Sequence, residues 1–314
     1  MKKIKMKQEV KNKNPNEAFT EFKKHCTIKN LSEKTIKYYD ECFLSFLKFY
    51  GETNPLADIS KDTIDDYIIY LRTNTGFNDV SINTRLRGIR TILKHFMELG
   101  YIEDFKISLI EAEKPLKETY TDEELELLLK KPNIKTCSFP EYRTWVIVNY
   151  LLSTANRLST ITNIKIEDLN FDDELLQLKK VKNKKQYIIP MSTSLAKILQ
   201  EYLMYRKGKS EDYLFCTVEG EKLSTNTLES NIRRYNLKRG VSKTSIHLFR
   251  HTFAKKWILA GGDIFRLQKI LGHSSLDVVR EYLNMFSDDL KISFNKFNPL
   301  EQFKTNKNYI KMRK

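Results

Sequence analysis

Residues 32–99 contain three runs in which apolar side chains recur at every third or fourth position. The first run begins after Ser32 and ends at Gly51, the second begins after Ser60, and the third spans Asn78–Leu99 and ends at Gly100. Ser and Asn are typical first residues of a helix, and Gly is a typical stop. Three amphipathic helices each have one face to bury, so this stretch predicts a compact helical bundle.

The third predicted helix also has a basic side, formed by Arg85, Arg87, Arg90 and Lys94. Basic side chains along a helix suit contact with DNA phosphates. The same pattern is typical of an ordinary solvated helix face, and both interpretations are kept.

The second half alternates helices with short strands. Thr121 and Glu124 have the spacing of a capping box, which opens a helix. Helices follow at about 140–154 and 159–164, and strand-like runs at 169–171, 175–178 and 186–189 predict a small antiparallel sheet. From Ser192 onwards the pattern is helical. The predicted fold class is mainly α with a small antiparallel sheet, a helical bundle followed by an α+β domain.

Charge is spread unevenly along the chain, whose net charge is +15. Residues 1–14 hold six Lys and one Glu, and residues 303–314 hold five basic residues and no acidic one. A basic excess points to a polyanion such as nucleic acid. We expect the two ends to be basic tails that add salt-sensitive, sequence-independent affinity for DNA.

The patterns divide the chain into five parts: a basic tail at 1–14, a helical domain at 15–104, a linker at 105–120, a second domain at 121–302 and a basic tail at 303–314. No apolar run approaches the roughly 20 residues of a membrane-spanning helix. The basic N-terminus lacks an apolar signal segment, so we expect a cytoplasmic protein without a membrane partner. The four cysteines lack metal-ligand spacing, and no metal or other cofactor is expected.

Three local patterns carry side chains suited to phosphate chemistry. His247 and Arg250 are three residues apart and share a helix face, where a guanidinium and an imidazole suit a bound phosphate. Gly272 turns the chain just before His273, and Tyr282 follows nine residues later. Arg157 lies in a turn between two predicted helices. Taken singly, each has a simpler interpretation: a surface or core pair, a core aromatic residue, and a surface Arg paired with Glu167 or Asp168.

Taken together and in order, these patterns resemble the tyrosine recombinases, also called phage-type integrases. The family's Thr-Gly-x-Arg turn is matched by Thr154-Ala-Asn-Arg157, and its His-x-Leu-Arg-His-Thr-Phe-Ala signature by His247-Leu-Phe-Arg250-His-Thr-Phe-Ala. The family's hairpin lysine corresponds to Lys182, its Leu-Gly-His signature to Leu271-Gly-His273, and its nucleophile to Tyr282. The resemblance covers nearly the whole folded chain, because the helical half is similar to the family's core-DNA-binding (SAM-like) domain.

The resemblance implies a reaction in which Tyr282 attacks a DNA phosphate and forms a 3′-phosphotyrosine. It implies that Arg157 and Arg250 clamp the non-bridging oxygens, that His247 assists proton removal, that Lys182 protonates the leaving 5′ oxygen, and that His273 bonds the phosphate. These five cationic or imidazole groups supply the positive charge, so the chemistry needs no metal.

The resemblance further implies a double-stranded DNA site as partner and four protomers exchanging strands through a Holliday junction. The segment 287–303 would dock on a neighbouring protomer or on its own domain. Integration or excision of a mobile element or phage is the expected role. Two alternatives stay open: a type IB topoisomerase and a DNA-binding regulator that keeps the fold.

One departure concerns the acidic residue that the family commonly has three positions after the first arginine. Thr160 stands there in this chain. In the family this acidic residue helps hold the active site together, so that support is in question. Ala155 also replaces the usual glycine.

Overall fold

The computed structural model describes residues 13–113, 118–178 and 187–272. The chain divides into two compact units between residues 115 and 116. In its described residues, 13–113, the first unit is a four-helix bundle. Its helices are α1 (Pro15–Ile28), α2 (Glu33–Tyr50), α3 (Lys61–Asn74) and α4 (Asp79–Glu98).

Three of these helices confirm the sequence predictions, and their caps do so in detail. The side chains of Ser32, Ser60 and Asn78 each accept a hydrogen bond from a backbone N–H of the first helical turn. Helix α1 was not predicted, although Asn14 caps it and Pro15 occupies its first turn. Both are start signals that the sequence contained.

A close crossing of α2 and α4 organises the bundle. Gly88 of α4 faces Cys42 of α2, and a Cβ atom at position 88 would lie 2.4 Å from the Cys42 Sγ. The Tyr38 hydroxyl donates to the Thr84 carbonyl at 2.5 Å. Because α4 buries its apolar stripe against α2, its opposite side is left to solvent.

The second unit combines helices with one small sheet. Its helices are α5 (Asp122–Leu129), α6 (Phe139–Thr154), α7 (Leu158–Ile161), α8 (Thr193–Arg206), α9 (Thr225–Lys238), α10 (His247–Leu259) and α11 (Ile264–Leu271). The strands are β1 (Leu169–Asn170), β2 (Leu175–Leu178) and β3 (Tyr187–Pro190). They form an antiparallel sheet in the order β1-β2-β3, with Leu176 opposite both Leu169 and Ile189. The predicted fold class is confirmed.

One sequence expectation about this unit is wrong. The helical pattern expected from Ser192 onwards is interrupted between α8 and α9, where residues 207–224 are irregular. Isolated bridges pair Lys165 with Tyr213 and Cys216 with Lys222. These pairings are partly long-range, so local periodicity does not reveal them.

Helix α6 is the centre of the second unit. Its residues Val146, Ile147, Tyr150 and Leu151 are fully buried, and the helix packs against α8, α9 and α10. A helix that is apolar on all sides belongs in a core. The C-terminal end of α6 therefore adjoins the core, and the predicted site residue Arg157 follows it three residues later. Among the described residues, no helix is both long and apolar enough to cross a membrane.

Candidate active site

Arg157 lies in the tight turn that the sequence predicts between α6 and α7. Helix α6 ends at Thr154, and the next residue, Ala155, adopts the left-handed conformation with φ 51° and donates its N–H to the Leu151 carbonyl at 2.9 Å. Arg157 is the residue before the first turn of α7, and it is half-buried. Ala155 occupies the family's glycine position, and its positive φ shows why glycine suits that turn.

Arg250 lies on the first turn of α10 and is buried, with 6% of its surface exposed. Its Nη1 donates to the Ala155 carbonyl at 2.7 Å, and its Nη2 donates to the Leu271 carbonyl at 2.6 Å. One guanidinium therefore joins the ends of α6 and α11. Because a guanidinium presents five N–H donors in a rigid fork, a side chain fixed by two carbonyls can also donate to a phosphate oxygen.

The two arginines meet at the end of α11. The Arg157 Nη1 and Nη2 lie 3.5 and 3.4 Å from the carbonyl oxygen of Gly272, the residue after the Leu271 that Arg250 contacts. Gly272 is left-handed, with φ 60° and ψ 42°, and closes α11. It directly precedes His273 in the sequence. Two guanidiniums thus converge on Leu271 and Gly272, the first two residues of the Leu-Gly-His signature.

His247 is the first residue of α10 and is exposed. It stands three residues before Arg250, on the same side of the helix. It lines an open cavity of about 460 Å³ together with Leu158, which follows Arg157, and with residues of α9. The structure therefore brings Arg157, His247 and Arg250 to one region of the second unit.

Three further predicted site residues, Lys182, His273 and Tyr282, lie outside the described residues, as do residues 1–12, the segment 287–303 and the tail 303–314. The last two residues of the predicted N-terminal tail are described and belong to the helical bundle, since Lys13 pairs with Glu21 and Asn14 caps α1. The strands β2 and β3 that flank the Lys182 connection pair in the antiparallel sense that the sequence predicts.

Thr160, at the family's acidic position, is buried but makes no side-chain hydrogen bond to the part of the chain that the structure describes. Its backbone N–H donates to the Arg157 carbonyl at 2.9 Å. The ends of α6, α10 and α11 are held instead by Arg250 and two carbonyls. Backbone acceptors have no residue signature, so sequence patterns could not identify them. The one signal was Ala155 at a glycine position.

The four basic residues of α4 divide into two groups. Arg87, Arg90 and Lys94 are exposed and have no ion pair with a described residue. Arg85 turns toward α2: its Nη1 lies 3.7 Å from Glu41 Oε2 and 3.9 Å from the Cys42 Sγ, and its guanidinium lies over the Phe77 ring. We call the exposed group, Arg87, Arg90 and Lys94, the basic face of α4.

Each of the two units matches the sequence model of a known protein family or domain. The sequence model of the phage integrase family matches residues 118–288, more than half of the chain. The model of the phage integrase SAM-like domain matches residues 17–110.

Individual relatives match along most of their length. A tyrosine recombinase of Pseudothermotoga lettingae is 27% identical over 88% of this chain and 96% of its own. The tyrosine recombinase XerA of Pyrococcus furiosus is 29% identical over 91% of this chain and 95% of its own. A solved structure of the Tn1549 transposon integrase with transposon right-end DNA has a TM-score of 0.70 at 18% identity, covering 86% of this chain and 94% of that one, which shows a shared fold. The chain belongs to the phage integrase family and is a tyrosine recombinase, an enzyme of site-specific DNA recombination.

Proposed function

We propose that this recombinase cuts and rejoins double-stranded DNA through a covalent bond between Tyr282 and a DNA 3′ phosphate. The observation that carries the proposal is the convergence of the Arg157 and Arg250 guanidiniums on the turn before His273. Two fixed cations around one point are what a phosphate needs as charge builds on its non-bridging oxygens.

The proposed reaction assigns one task to each site residue. The Tyr282 oxygen attacks the phosphorus, and His247 assists removal of the phenol proton, because a phenol of pKa about 10 is protonated at neutral pH. The bond to the 5′ oxygen breaks, and Lys182 supplies the proton that this oxygen takes up. Arg157, Arg250 and His273 hold the non-bridging oxygens. Since the phosphotyrosine keeps the energy of the broken bond, attack by another 5′ hydroxyl reseals the strand and frees Tyr282.

We also propose that the enzyme moves a mobile element or phage DNA, through four protomers and a Holliday junction, with the segment 287–303 docking on a neighbouring protomer. The structural match to a transposon integrase supports the proposal that the DNA moved is that of a mobile element. The four cysteines are free thiols, as is usual in a reducing compartment, which supports action in the cytoplasm.

Strand exchange tests the function directly. A plasmid carrying two copies of the DNA junction that flanks the protein's own gene should lose the segment between them when the purified protein is added. A matched plasmid without the junction should keep its superhelical density. Relaxation of both plasmids without exchange would favour the type IB topoisomerase alternative. Repression without exchange would favour the regulator.

The basic face of α4 is the proposed DNA contact of the first unit. Each phosphate contact contributes about 0.9 to the slope of log affinity against log salt concentration. We expect Arg87→Ala to flatten that slope by about one unit, and the triple variant with Arg90→Ala and Lys94→Ala by two to three units, roughly additively.

Arg85→Ala provides the matched control, because it removes the same charge from the same helix but from the side that faces Glu41. Its salt slope, measured by fluorescence anisotropy on the same duplex, should equal that of the unmodified protein. Equal flattening by Arg85→Ala and Arg87→Ala would contradict a specific role for this face.

A further inference from the structure

The segment Thr119–Glu124, which includes the last two residues of the predicted linker, is tied to the loop that precedes the helix of His247 and Arg250. Lys243 in that loop makes the first tie. Its ammonium group donates to the Thr119 carbonyl at 2.9 Å and to the Glu124 Oε2 at 2.9 Å. Glu124 also accepts from the backbone N–H of Thr121 at 2.8 Å. The Lys243 side chain therefore binds both ends of the segment, at Thr119 and at Glu124, to the loop before α10.

The charge of Glu124 suits this contact. Burial raises the pKa of the carboxyl, but the bonds from the Thr121 N–H and from Lys243 outweigh burial, so its pKa lies below the usual value. The carboxylate is therefore ionised at neutral pH. Because the Lys243 and Glu124 side chains are only 25% and 22% exposed, water screens this pair less than a surface pair.

Tyr120 makes the second tie, from inside the core. Its hydroxyl accepts from the Asn236 amide at 2.9 Å and lies 3.3 Å from the Lys243 carbonyl. The same Asn236 amide donates to the Lys243 carbonyl at 2.8 Å. Burial raises the pKa of the Tyr120 hydroxyl well above its ordinary value, so the group keeps its proton. The backbone of residue 243 is thus held by two buried side chains.

The third tie reaches α10 itself. The Tyr120 N–H donates to the Thr252 Oγ1 at 2.9 Å, and the Tyr120 ring lies 4.6 Å from the Phe249 ring, centre to centre. Phe249 and Thr252 are three residues apart and form one side of α10, whereas His247 and Arg250 form another. Contacts on the first side therefore fix the rotation of the helix that presents the second.

We propose that Lys243 is a positioning residue for the recombination chemistry: by binding the Thr119–Glu124 segment, it sets where α10 holds His247 and Arg250. The inference rests on the proposed function, because it assigns His247 and Arg250 to the reacting phosphate. A small misplacement of groups around a reacting centre is costly, since a displacement of about 1 Å lowers a rate up to about 100-fold. Sequence patterns did not single out Lys243, Asn236 or Tyr120.

The test compares Lys243→Met with Lys238→Met. Lys238 is on the same unit, is 65% exposed and pairs with Glu141, so the control removes the same charge without touching α10. We expect Lys243→Met to slow single-turnover formation of the protein–DNA adduct by about 10- to 100-fold at saturating protein. DNA affinity should stay within about twofold of the control. Lys243→Arg keeps both contacts in reach and should restore most of the rate.

A role confined to stability predicts another result. Lys243→Met would then lower the melting temperature while its folded fraction formed the adduct at the rate of the control, and Lys243→Arg would bring no gain in rate. That result would overturn the proposal.

Amide hydrogen exchange of the free protein separates this proposal from the proposed function. Lys243→Met should speed exchange in residues 247–252 relative to Lys238→Met, whether or not the protein cleaves DNA. Unchanged exchange there would overturn the positioning role. An unmodified protein that forms no adduct, together with faster exchange in the variant, would instead count against the assigned chemistry while supporting the tie to α10.

Discussion

Tyr282→Phe should form no covalent adduct with DNA. On a nicked suicide substrate carrying the recombination site, the short fragment that gains the free 5′ hydroxyl diffuses away after cleavage, and the unmodified protein is trapped on the 3′ phosphate. Phenylalanine lacks the attacking oxygen, and loss of a nucleophile costs about 10⁴-fold or more in rate. DNA binding should persist, because the variant keeps every cationic side chain.

Tyr205→Phe is the matched control. Tyr205 lies on α8 with 47% of its surface exposed, and it packs edge-on against Tyr142 in the second unit. The substitution removes the same atom, and adduct yield on a denaturing gel should match that of the unmodified protein. An undiminished adduct with Tyr282→Phe would show that another residue is the nucleophile.

Arg250→Lys and Arg157→Lys should both slow adduct formation, but only the first should also lower stability. Each removes a guanidinium that we place on the reacting phosphate, and loss of one such donor costs about 100- to 1000-fold in rate. Lysine is a point charge that cannot repeat a guanidinium's paired contacts. At position 250 it would leave a buried carbonyl, that of Ala155 or Leu271, without its donor, at a cost of about 1–3 kcal/mol in the free energy of unfolding. Arg157 is half-buried and its contacts are 3.4–3.5 Å long, so its replacement should change stability little.

Arg143→Lys separates the two effects. Arg143 is also buried and donates to a backbone carbonyl, that of Cys216. Its replacement should lower the free energy of unfolding, measured in urea, while leaving the single-turnover rate of the folded protein unchanged. If Arg250→Lys behaved like Arg143→Lys, Arg250 would be a structural residue only.

The local features of the fold could be predicted from the sequence, because their causes are local. Ser32, Ser60 and Thr121 cap helices through atoms a few residues away, and the short apolar runs at 175–178 and 186–189 are enough to identify paired strands. The irregular stretch 207–224 could not be predicted in the same way, because part of it is held by a partner as distant as Lys165.

In the candidate site, too, local features could be predicted from the sequence, whereas long-range contacts could not. The identities of Arg157, His247 and Arg250 follow from motif order, but their grouping depends on the carbonyls of Ala155, Leu271 and Gly272, which any residue type would supply. The separation of Arg85 from Arg87 was within reach of the sequence. A helix turns by about 100° per residue, so residues 85 and 87, which are two positions apart, point in directions roughly 200° apart. These two arginines therefore cannot share a face.

Mass spectrometry of the trapped adduct tests the central claim most directly. After exhaustive nuclease and trypsin digestion, the residual nucleotide should be found on the peptide of residues 281–291, attached to Tyr282 through the DNA 3′ phosphate. A nucleotide on any other residue, or one attached through a 5′ phosphate, would contradict the account.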